Sequence, residues 1–266
     1  MGESAYRKLE GRRVAIAGAG NVAWHLARAL RDSGWDIVQV CSRTIASASV
    51  LAAEVGAAAS GDFSSADPTA DFCIVCVTDS AVAQVAQALP HMRGVVVHTS
   101  GTVPMDVLKI CAERVGVLYP LQTFSRDRAL NIKEVPFFTE ASDASTLVKI
   151  DGMAASIGAQ ALHADSDARS LLHVAGVLAC NFPNYLIGCA QKILSRGGYG
   201  LDVLRPLVAE TIAKSFQMGP EAAQTGPARR GNTETIKKHI ALLPDDQAEI
   251  YSLISDAILK KYHSDE

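Results

Sequence analysis

The sequence lacks a surplus of positive charge. Its 25 lysines and arginines are outnumbered by 28 aspartates and glutamates, which gives a net charge of −3 at pH 7. Without a basic field to attract phosphates, this composition argues against nucleic-acid binding and against docking on an acidic membrane surface. We therefore expect neither nucleic acid nor membrane as a partner.

Long apolar segments are also missing. The opening residues, Met1-Gly-Glu-Ser-Ala-Tyr-Arg-Lys8, do not contain the apolar stretch of a signal peptide. No uninterrupted apolar run reaches membrane-spanning length. At 266 residues, with 48% hydrophobic and 20% charged residues, the chain is large enough for two domains with separate cores. These observations predict a cytoplasmic protein.

A metal-binding arrangement of cysteines is absent as well. Cys73 and Cys76 have the spacing of a redox or metal pair, but they fall in the strand-like run Phe72–Val77. Side chains three residues apart on a strand face opposite sides, so one metal ion could not readily take both. We expect no metal site and buried structural thiols. The six cysteines are Cys41, Cys73, Cys76, Cys111, Cys180 and Cys189.

The clearest motif lies near the start of the chain. Val14–Ala17 is a short apolar run typical of a buried parallel strand, and Gly18-Ala-Gly-Asn-Val-Ala23 then reads G-x-G-x-x-A and opens a helical pattern. Gly18 permits a tight turn, and Gly20 lets the backbone approach a pyrophosphate that faces the helix N-terminus. The motif predicts a dinucleotide site formed by Gly18, Ala19, Gly20, Asn21 and Val22.

The next predicted strand, Trp35–Cys41, is not followed by an acidic residue. An NAD-preferring site would place Asp or Glu there for the ribose 2′-hydroxyl, whereas this chain has Ser42, Arg43 and Thr44. A charge-assisted contact of about 1.5–3 kcal/mol with a 2′-phosphate would favour NADP. We predict NADP as the cofactor; the alternative is that Arg43 is a solvated surface residue.

Strand-like and helical segments alternate through the first 158 residues, which predicts a Rossmann-type, doubly wound, mainly parallel sheet of the α/β class. Ligands bind such sheets at the carboxyl ends of the strands. Several polar positions, and the apolar Val77, lie at or directly after predicted strand ends. Those expected to contact the cofactor are Val77, Thr78, Thr99 and Ser100, and those expected at the substrate are Ser100, Tyr119 and Gln122.

The alternation then stops, and only helical patterns follow. The run Asp165–Leu194 is apolar on most faces, which predicts a long, buried central helix with a kink at Pro183. We predict an NADP-binding Rossmann domain over residues 1–158 and an all-α substrate and dimerisation domain over 159–266. The central helix needs more burial than one small domain supplies, so we expect a homodimer through the helical domain.

These features together resemble a large dehydrogenase group that includes 6-phosphogluconate dehydrogenase, β-hydroxyacid dehydrogenases, ketopantoate reductase, pyrroline-5-carboxylate reductase and prephenate dehydrogenase. Within it the chain is most similar to NADP oxidoreductases with a Rossmann-like N-terminal domain and an uncharacterised helical C-terminal domain. The resemblance covers nearly the whole chain and implies an oxidoreductase without naming its substrate. It rests on the glycine motif, Ser42-Arg-Thr44, His98-Thr-Ser-Gly101, Tyr119-Pro-Leu-Gln122, His173 with Asn181, and Thr225-Gly-Pro-x-x-Arg-Gly231.

Two departures from the relatives limit which activity can be inferred. β-Hydroxyacid dehydrogenases and ketopantoate reductases carry a lysine four residues before an asparagine on the central helix, where this chain has Val177 before Asn181 and Cys180 before Asn184. Prephenate dehydrogenases place a histidine before a proline after the sixth strand, where this chain has Tyr119. Both specific activities are therefore disfavoured.

Reduction of a C=O or C=N bond by NADPH needs a nearby proton donor. His173 is the first candidate, because histidine as a residue type can serve as an acid near neutral pH and His173 shares a helix face with Asn184. Asn181 is close enough to line the same cleft. Tyr119 is the second candidate and His98 the third. The alternatives are that His173 and Tyr119 are packed core residues. We predict His173, Asn181 and Tyr119 as catalytic, and Ser100, Gln122, Asn184 and Arg230 at the substrate.

Two functions remain open at this point. The first is an NADP-dependent reductase of a small carbonyl or imine compound, which the retained polar residues favour. The second is a non-catalytic NADP-binding sensor or regulatory dimer, which the missing lysine favours. We take the reductase as the prediction.

Overall fold

One mixed sheet of eight strands dominates the computed structural model, which describes residues 12–263. The strands lie in the order β3-β2-β1-β4-β5-β6-β7-β8. Their bounds are Arg13–Ala17 (β1), Asp36–Cys41 (β2), Ala58–Ser60 (β3), Phe72–Val75 (β4), Met92–His98 (β5), Ala112–Pro120 (β6), Pro136–Ala141 (β7) and Gln160–His163 (β8).

The first six strands are parallel, so their carboxyl ends lie at one edge of the sheet. β7 pairs antiparallel with β6, and β8 then pairs parallel with β7. The chain moves outward from β1 to β3 and returns to place β4 on the other side of β1. That reversal is the switch point at which open α/β sheets bind ligands. The predicted Rossmann-type, mainly parallel sheet is confirmed.

Ten α-helices belong to the described residues. Their bounds are Asn21–Asp32 (α1), Ile45–Val55 (α2), Val82–Ala88 (α3), Ala144–Ser156 (α4), Ser166–Gly176 (α5), Phe182–Arg196 (α6), Arg205–Met218 (α7), Pro220–Ala223 (α8), Thr233–Ile240 (α9) and Asp245–His263 (α10).

Alternation along β1 divides the core into two layers. Val14 and Ile16 join the apolar cluster under α1, α2 and α4, whereas Ala15 and Ala17 join the cluster under α3 on the other face. This is the period-two pattern of a strand buried on both sides. Each fully buried leucine or isoleucine in these layers contributes on the order of 1.5–3 kcal/mol. The glycine turn after β1 is therefore attached to a strand that is buried on both faces from Val14 to Ala17.

The chain separates into two compact units, one that ends at Cys180 and one that begins at Asn181. The sequence had predicted the division at residue 158. The difference arises because β8 is hydrogen-bonded to β7 and α5 is anchored by Arg169, whose guanidinium binds Glu140 on β7. Both elements therefore pack with the sheet.

The cysteines follow the predicted burial only up to Cys111. Cys73 and Cys76 lie in opposite apolar layers, as their spacing on a strand requires. Burial raises the pKa of Cys76 to about 12. The expectation of burial is wrong for Cys180, which is exposed, and for Cys189, which is half-buried. Within residues 12–263 no group of three or more potential ligand residues could hold a metal ion.

The predicted central helix is interrupted, and it is not buried. A π-helical turn, Val177–Asn181, separates α5 from α6, and Pro183 lies in the first turn of α6. Both features are known causes of helix distortion. Leu178 and Phe182 are exposed in the single chain. By length and composition alone, the helical segment Ser166–Arg196 is long and apolar enough to cross a membrane, since an 18-residue stretch of it has a mean hydropathy of 1.3.

Candidate active site

The turn between β1 and α1 is too crowded at its first glycine for any side chain. Gly18 has φ of +124°, and a Cβ there would lie 2.1 Å from the carbonyl oxygen of Cys76. Its backbone N–H donates to the carbonyl of Cys41 at 2.7 Å. The turn is thus held between the ends of β2 and β4, and only glycine fits it.

The second glycine of the turn faces open space. Nothing lies within 4 Å of a Cβ built at Gly20, which stands at the N-cap of α1. No side chain caps this helix, so the first N–H groups of α1 are left for another partner. An unobstructed helix N-terminus of this kind is suited to bind an anionic group such as a diphosphate.

A cavity of about 760 Å³ opens beside this helix start. It is lined by eleven of the twelve predicted cofactor residues: Gly18, Ala19, Gly20, Asn21, Val22, Ser42, Arg43, Thr44, Val77, Thr78 and Thr99. It also includes Gln122, which had been predicted at the substrate. The carboxyl ends of β1, β2, β4 and β5 therefore bring the predicted residues to one surface.

Several residues in the cavity wall were missed from the sequence. They are Ser47, Gly61, Asp62, Phe63, Cys76, Ala81, Gln84, Val85, Ala88 and Phe124. Most lie on α2, on α3 or in the segment after β3, where no strand-end pattern marked them. Asp62 and Phe63 follow the short strand β3, so the polar position after that strand was the signal that could have identified Asp62.

Arg43 stands in this wall with its charge unmatched. Its guanidinium forms neither a hydrogen bond nor an ion pair with any residue in the range 12–263, and Ser42 and Thr44 flank it. An unpaired guanidinium between two hydroxyls fits a phosphate group at the end of β2. The donor set therefore fits NADP, whose 2′-phosphate distinguishes it from NAD.

Asn21 has a role that the sequence did not reveal. Its side-chain amide donates to the carbonyl of Phe124 at 3.0 Å, and His25 on the next turn contacts the carbonyl of Ser125 at 3.0 Å. The Arg126 guanidinium lies 3.8 Å from the centre of the Trp24 ring. The segment after β6 is thus held along α1, which places Phe124 in the cavity wall.

Two candidate proton donors are in direct contact. The hydroxyl of Tyr119, at the end of β6, lies 3.2 Å from Nδ1 of His173 on α5. In the tautomer that carries its proton on Nε2, the histidine accepts this hydrogen bond. Burial, followed by the charge of Asp79, raises the pKa of Tyr119 above its usual value. The phenol therefore keeps its proton at neutral pH.

The loop after β5 packs tightly against this pair. A Cβ built at Gly101 would lie 2.8 Å from Cζ of Tyr119 and 3.1 Å from Cβ of His173. The hydroxyl of Ser100 accepts from the backbone N–H groups of Thr102 and Val103, both at 3.1 Å. Ser100 therefore shapes the loop and does not line the cavity in which the sequence placed it.

His98 is buried beneath the same loop. Its Nδ1 accepts from the backbone N–H of Ser100 at 3.2 Å, which leaves the proton on Nε2. Burial, with a smaller contribution from the charge of Arg169, lowers the pKa of His98 to about 4. A fully buried, neutral imidazole of this kind supports the loop. This environment argues against His98 as the proton donor.

The remaining predicted residues lie in the second unit. Asn181 ends the π-helical turn and is the N-cap of α6, Asn184 lies in the first turn of α6, and Arg230 lies in the 3₁₀ turn Ala228–Arg230 before α9. All three are exposed, and their side chains make no hydrogen bond to a residue that the structure describes. Their predicted roles stay predictions.

Two family models match the sequence. Residues 13–100 match NADP oxidoreductases described as coenzyme F420-dependent, and residues 135–258 match DUF2520, a domain of unknown function. No protein of curated function matches the sequence.

Solved structures share this architecture. A putative NADP oxidoreductase from Bacteroides fragilis is 38% identical, with a TM-score of 0.89 over 94% of this chain and 98% of that one. A reductive aminase from Aspergillus terreus in complex with NADPH is 15% identical, with a TM-score of 0.72 over 94% and 95% of the two chains. A pyrroline-5-carboxylate reductase from Coxiella burnetii is 15% identical, with a TM-score of 0.53 over 94% and 97%. The last two likenesses show the fold alone.

The family match and the Bacteroides fragilis relative, together with the glycine turn and the cavity at the strand ends, identify an NAD(P)-dependent oxidoreductase. The chain belongs to the family of the Bacteroides fragilis protein, the NADP oxidoreductases with a Rossmann N-terminal domain followed by DUF2520. Its cofactor is NADP, in agreement with the unpaired guanidinium of Arg43.

The two glycines of the turn should respond differently to alanine. Gly20→Ala should leave the melting temperature within about 2 °C of the wild type, because the added Cβ meets no protein atom. The same variant should bind NADPH at least about tenfold more weakly, because the Cβ blocks the diphosphate. Gly18→Ala should instead destabilise the fold, since its Cβ overlaps the Cys76 carbonyl. Thermal unfolding and calorimetric titration with NADPH check both. Unaltered NADPH binding by Gly20→Ala would contradict the diphosphate assignment.

Proposed function

We propose that this protein transfers hydride between NADPH and a small carbonyl or imine compound. The observation that carries the proposal is the hydrogen bond between Tyr119 and His173, 3.2 Å long, at the carboxyl edge of the sheet. Hydride reduction needs a group that delivers a proton to the substrate, and these two side chains can supply one. The family supports the broader class of oxidoreductase, and this pair supports the reductive step.

The cofactor contacts follow from the cavity wall. The backbone from Gly18 to Val22 would bind the diphosphate at the start of α1, and Arg43 with its flanking hydroxyls would bind the 2′-phosphate. When bound, NADPH supplies the hydride. Thr78 and Thr99 follow β4 and β5 in the same wall, where they would orient the cofactor.

His173 is the preferred donor to the substrate. Its Nδ1 is engaged by the Tyr119 hydroxyl, and its Nε2 makes no hydrogen bond to a described residue. Nε2 is therefore the atom that can hold a proton toward a substrate oxygen or nitrogen. Tyr119 orients the ring and, with its pKa raised, stays protonated as a second donor. We keep Gln122, Asn181, Asn184 and Arg230 as proposed substrate contacts.

A non-catalytic NADP sensor is the second candidate function. It is favoured by Val177 and Cys180, which stand where related dehydrogenases carry a catalytic lysine. The hydrogen-bonded pair of Tyr119 and His173 favours the reductase, because a sensor needs no aligned proton donors.

We also propose a homodimer through the helical unit. Among residues 181–263, the buried apolar side chains are the small Ala223 and Ala228 and a single Ile236. Large apolar side chains of α7, such as Leu207 and Phe216, are exposed, with Phe216 90% accessible. Helices with so little core need another surface for burial, and a second copy supplies one.

The same burial would account for the apolar run Ser166–Arg196 without a membrane. The net charge of −3 supports a protein that associates with neither nucleic acid nor acidic lipid. We therefore propose a cytoplasmic location.

A panel of 2-keto acids and cyclic imines with NADPH tests the reductase, with cofactor oxidation followed at 340 nm. For the substrate found, His173→Ala should lower kcat by about 10²- to 10⁴-fold, the usual contribution of a general acid, and Tyr119→Phe should lower it less. His91→Ala, at an exposed histidine of the same unit, should retain wild-type turnover. Wild-type turnover by His173→Ala would remove its role, and tight NADPH binding without turnover of any compound would favour the sensor.

Phe216→Asp should convert the dimer to a monomer, because it places a charge on the proposed buried face of α7. Sedimentation velocity at micromolar concentration measures this. Val148→Asp is the matched control, since Val148 is 71% exposed but belongs to the helix α4 of the first unit. A wild-type protein that sediments as a monomer, or that requires detergent for extraction, would contradict the proposal.

A further inference from the structure

A fully buried arginine lies one turn before the proposed proton donor. Arg169 on α5 has 0% of its side chain exposed. Its Nη1 donates to the Glu140 carboxylate and to the carbonyl of Ala164, 3.3 Å away. Its Nη2 donates to the carbonyl of Val103 at 3.0 Å and to the hydroxyl of Ser166 at 3.2 Å. Arginine is rarely buried to this extent unless it is paired.

These contacts join three separate parts of the first unit. Glu140 belongs to β7, Val103 lies in the loop that follows β5, and Arg169 itself belongs to α5. Residues four apart share a helix face, so His173 stands beside Arg169 on α5. Arg169 therefore binds the same loop that His173 and Tyr119 contact at Gly101.

We propose that Arg169 is a positioning residue, which locks α5 to the loop after β5 and thereby holds His173 in hydrogen-bonding contact with Tyr119. The inference rests on the proposed role of the Tyr119–His173 pair. The Arg169 guanidinium makes no hydrogen bond to either member of the pair, and its complete burial keeps it from meeting a substrate.

The planar guanidinium explains why an arginine occupies this position. Its two terminal nitrogens donate in fixed directions, one toward β7 and the other toward Val103, so they define the rotation of α5 about its axis. An apolar side chain would fill the same volume without fixing that rotation. Loss of alignment by about 1 Å at a catalytic group can cost on the order of a hundredfold in rate.

The test uses the titration of Tyr119, which needs no substrate. The protein is labelled with tyrosine carrying ¹³C at Cζ, and Tyr119→Phe assigns the resonance. Burial and Asp79 raise the pKa of Tyr119 in the wild type, so loosening of the loop and α5 should lower it toward the ordinary value of a tyrosine. Arg169→Lys, which keeps the charge but loses the fork, should produce this decrease while NADPH affinity stays within about threefold of the wild type.

Arg114→Lys is the matched control. Arg114 lies on β6, the strand that carries Tyr119, and bonds the carbonyl of Arg93 far from the loop after β5. It should leave the Tyr119 titration unchanged. If Arg169→Lys lowers the melting temperature but not the pKa of Tyr119, Arg169 only stabilises the fold and the proposal is wrong.

A second variant covers the case in which Arg169→Lys does not fold. Glu140→Ala removes the carboxylate that anchors Arg169, from a position that is 21% exposed. A decrease in the pKa of Tyr119 in this variant supports the proposal, and an unchanged titration overturns it.

Kinetics give a separate readout once a substrate is known. Arg169→Lys should lower kcat about 10- to 100-fold with KM changed less than about threefold. The titration decides the positioning role even if no compound is turned over, so failure of the reductase proposal stays distinguishable from failure of this one.

Discussion

The close approach of β1 to the end of β4 is the constraint on which the cofactor site depends. The Cys76 carbonyl occupies the space in which residue 18 would carry a side chain, so the chain must turn there on a glycine. The turn leads into α1, which packs on one face of the sheet with its N-terminus at the switch point between β1 and β4. Whereas Gly18 is packed against the Cys76 carbonyl, Gly20 faces open space. The cavity at the strand ends lies beside this exposed part of the turn.

The chemistry of the site depends on a second buried arrangement, centred on the loop after β5. His98 supports this loop from beneath, Ser100 caps its backbone and Arg169 ties it to α5. Gly101 leaves the room in which Tyr119 and His173 meet. Buried polar groups that are hydrogen-bonded hold a unique geometry at the cost of desolvation, and here they surround the two proposed donors.

Of the twelve cofactor residues that local patterns in the sequence predicted, eleven line the cavity wall. Gly18 and Gly20 have roles that follow from backbone geometry alone, and Arg43 is recognised by its place after a strand. The parallel sheet likewise follows from apolar runs that alternate with helices. These features depend on residues that are near one another in the chain.

Features that depend on distant residues could not be read in this way. The ion pair between Arg169 and Glu140 joins residues 29 positions apart in the chain. It attaches α5 to the sheet, although the sequence pattern of α5 is helical like that of the helices that follow. The contact of Asn21 with Phe124 spans 103 positions, so no local pattern marks Phe124 as part of the cavity. Apolarity predicted burial for the central helix, but apolarity does not specify whether the same chain or another copy provides it.

The central claim is that the protein binds NADP through a phosphate site at Arg43, and a titration with NADPH and NADH tests it most directly. The account predicts that NADPH binds at least about tenfold more tightly, and that Arg43→Ala weakens NADPH by a similar factor while NADH is unaffected. Arg28→Ala, at an arginine of α1 that pairs with Glu54, should change neither. Equal affinity for the two cofactors, or binding of neither, would contradict the account.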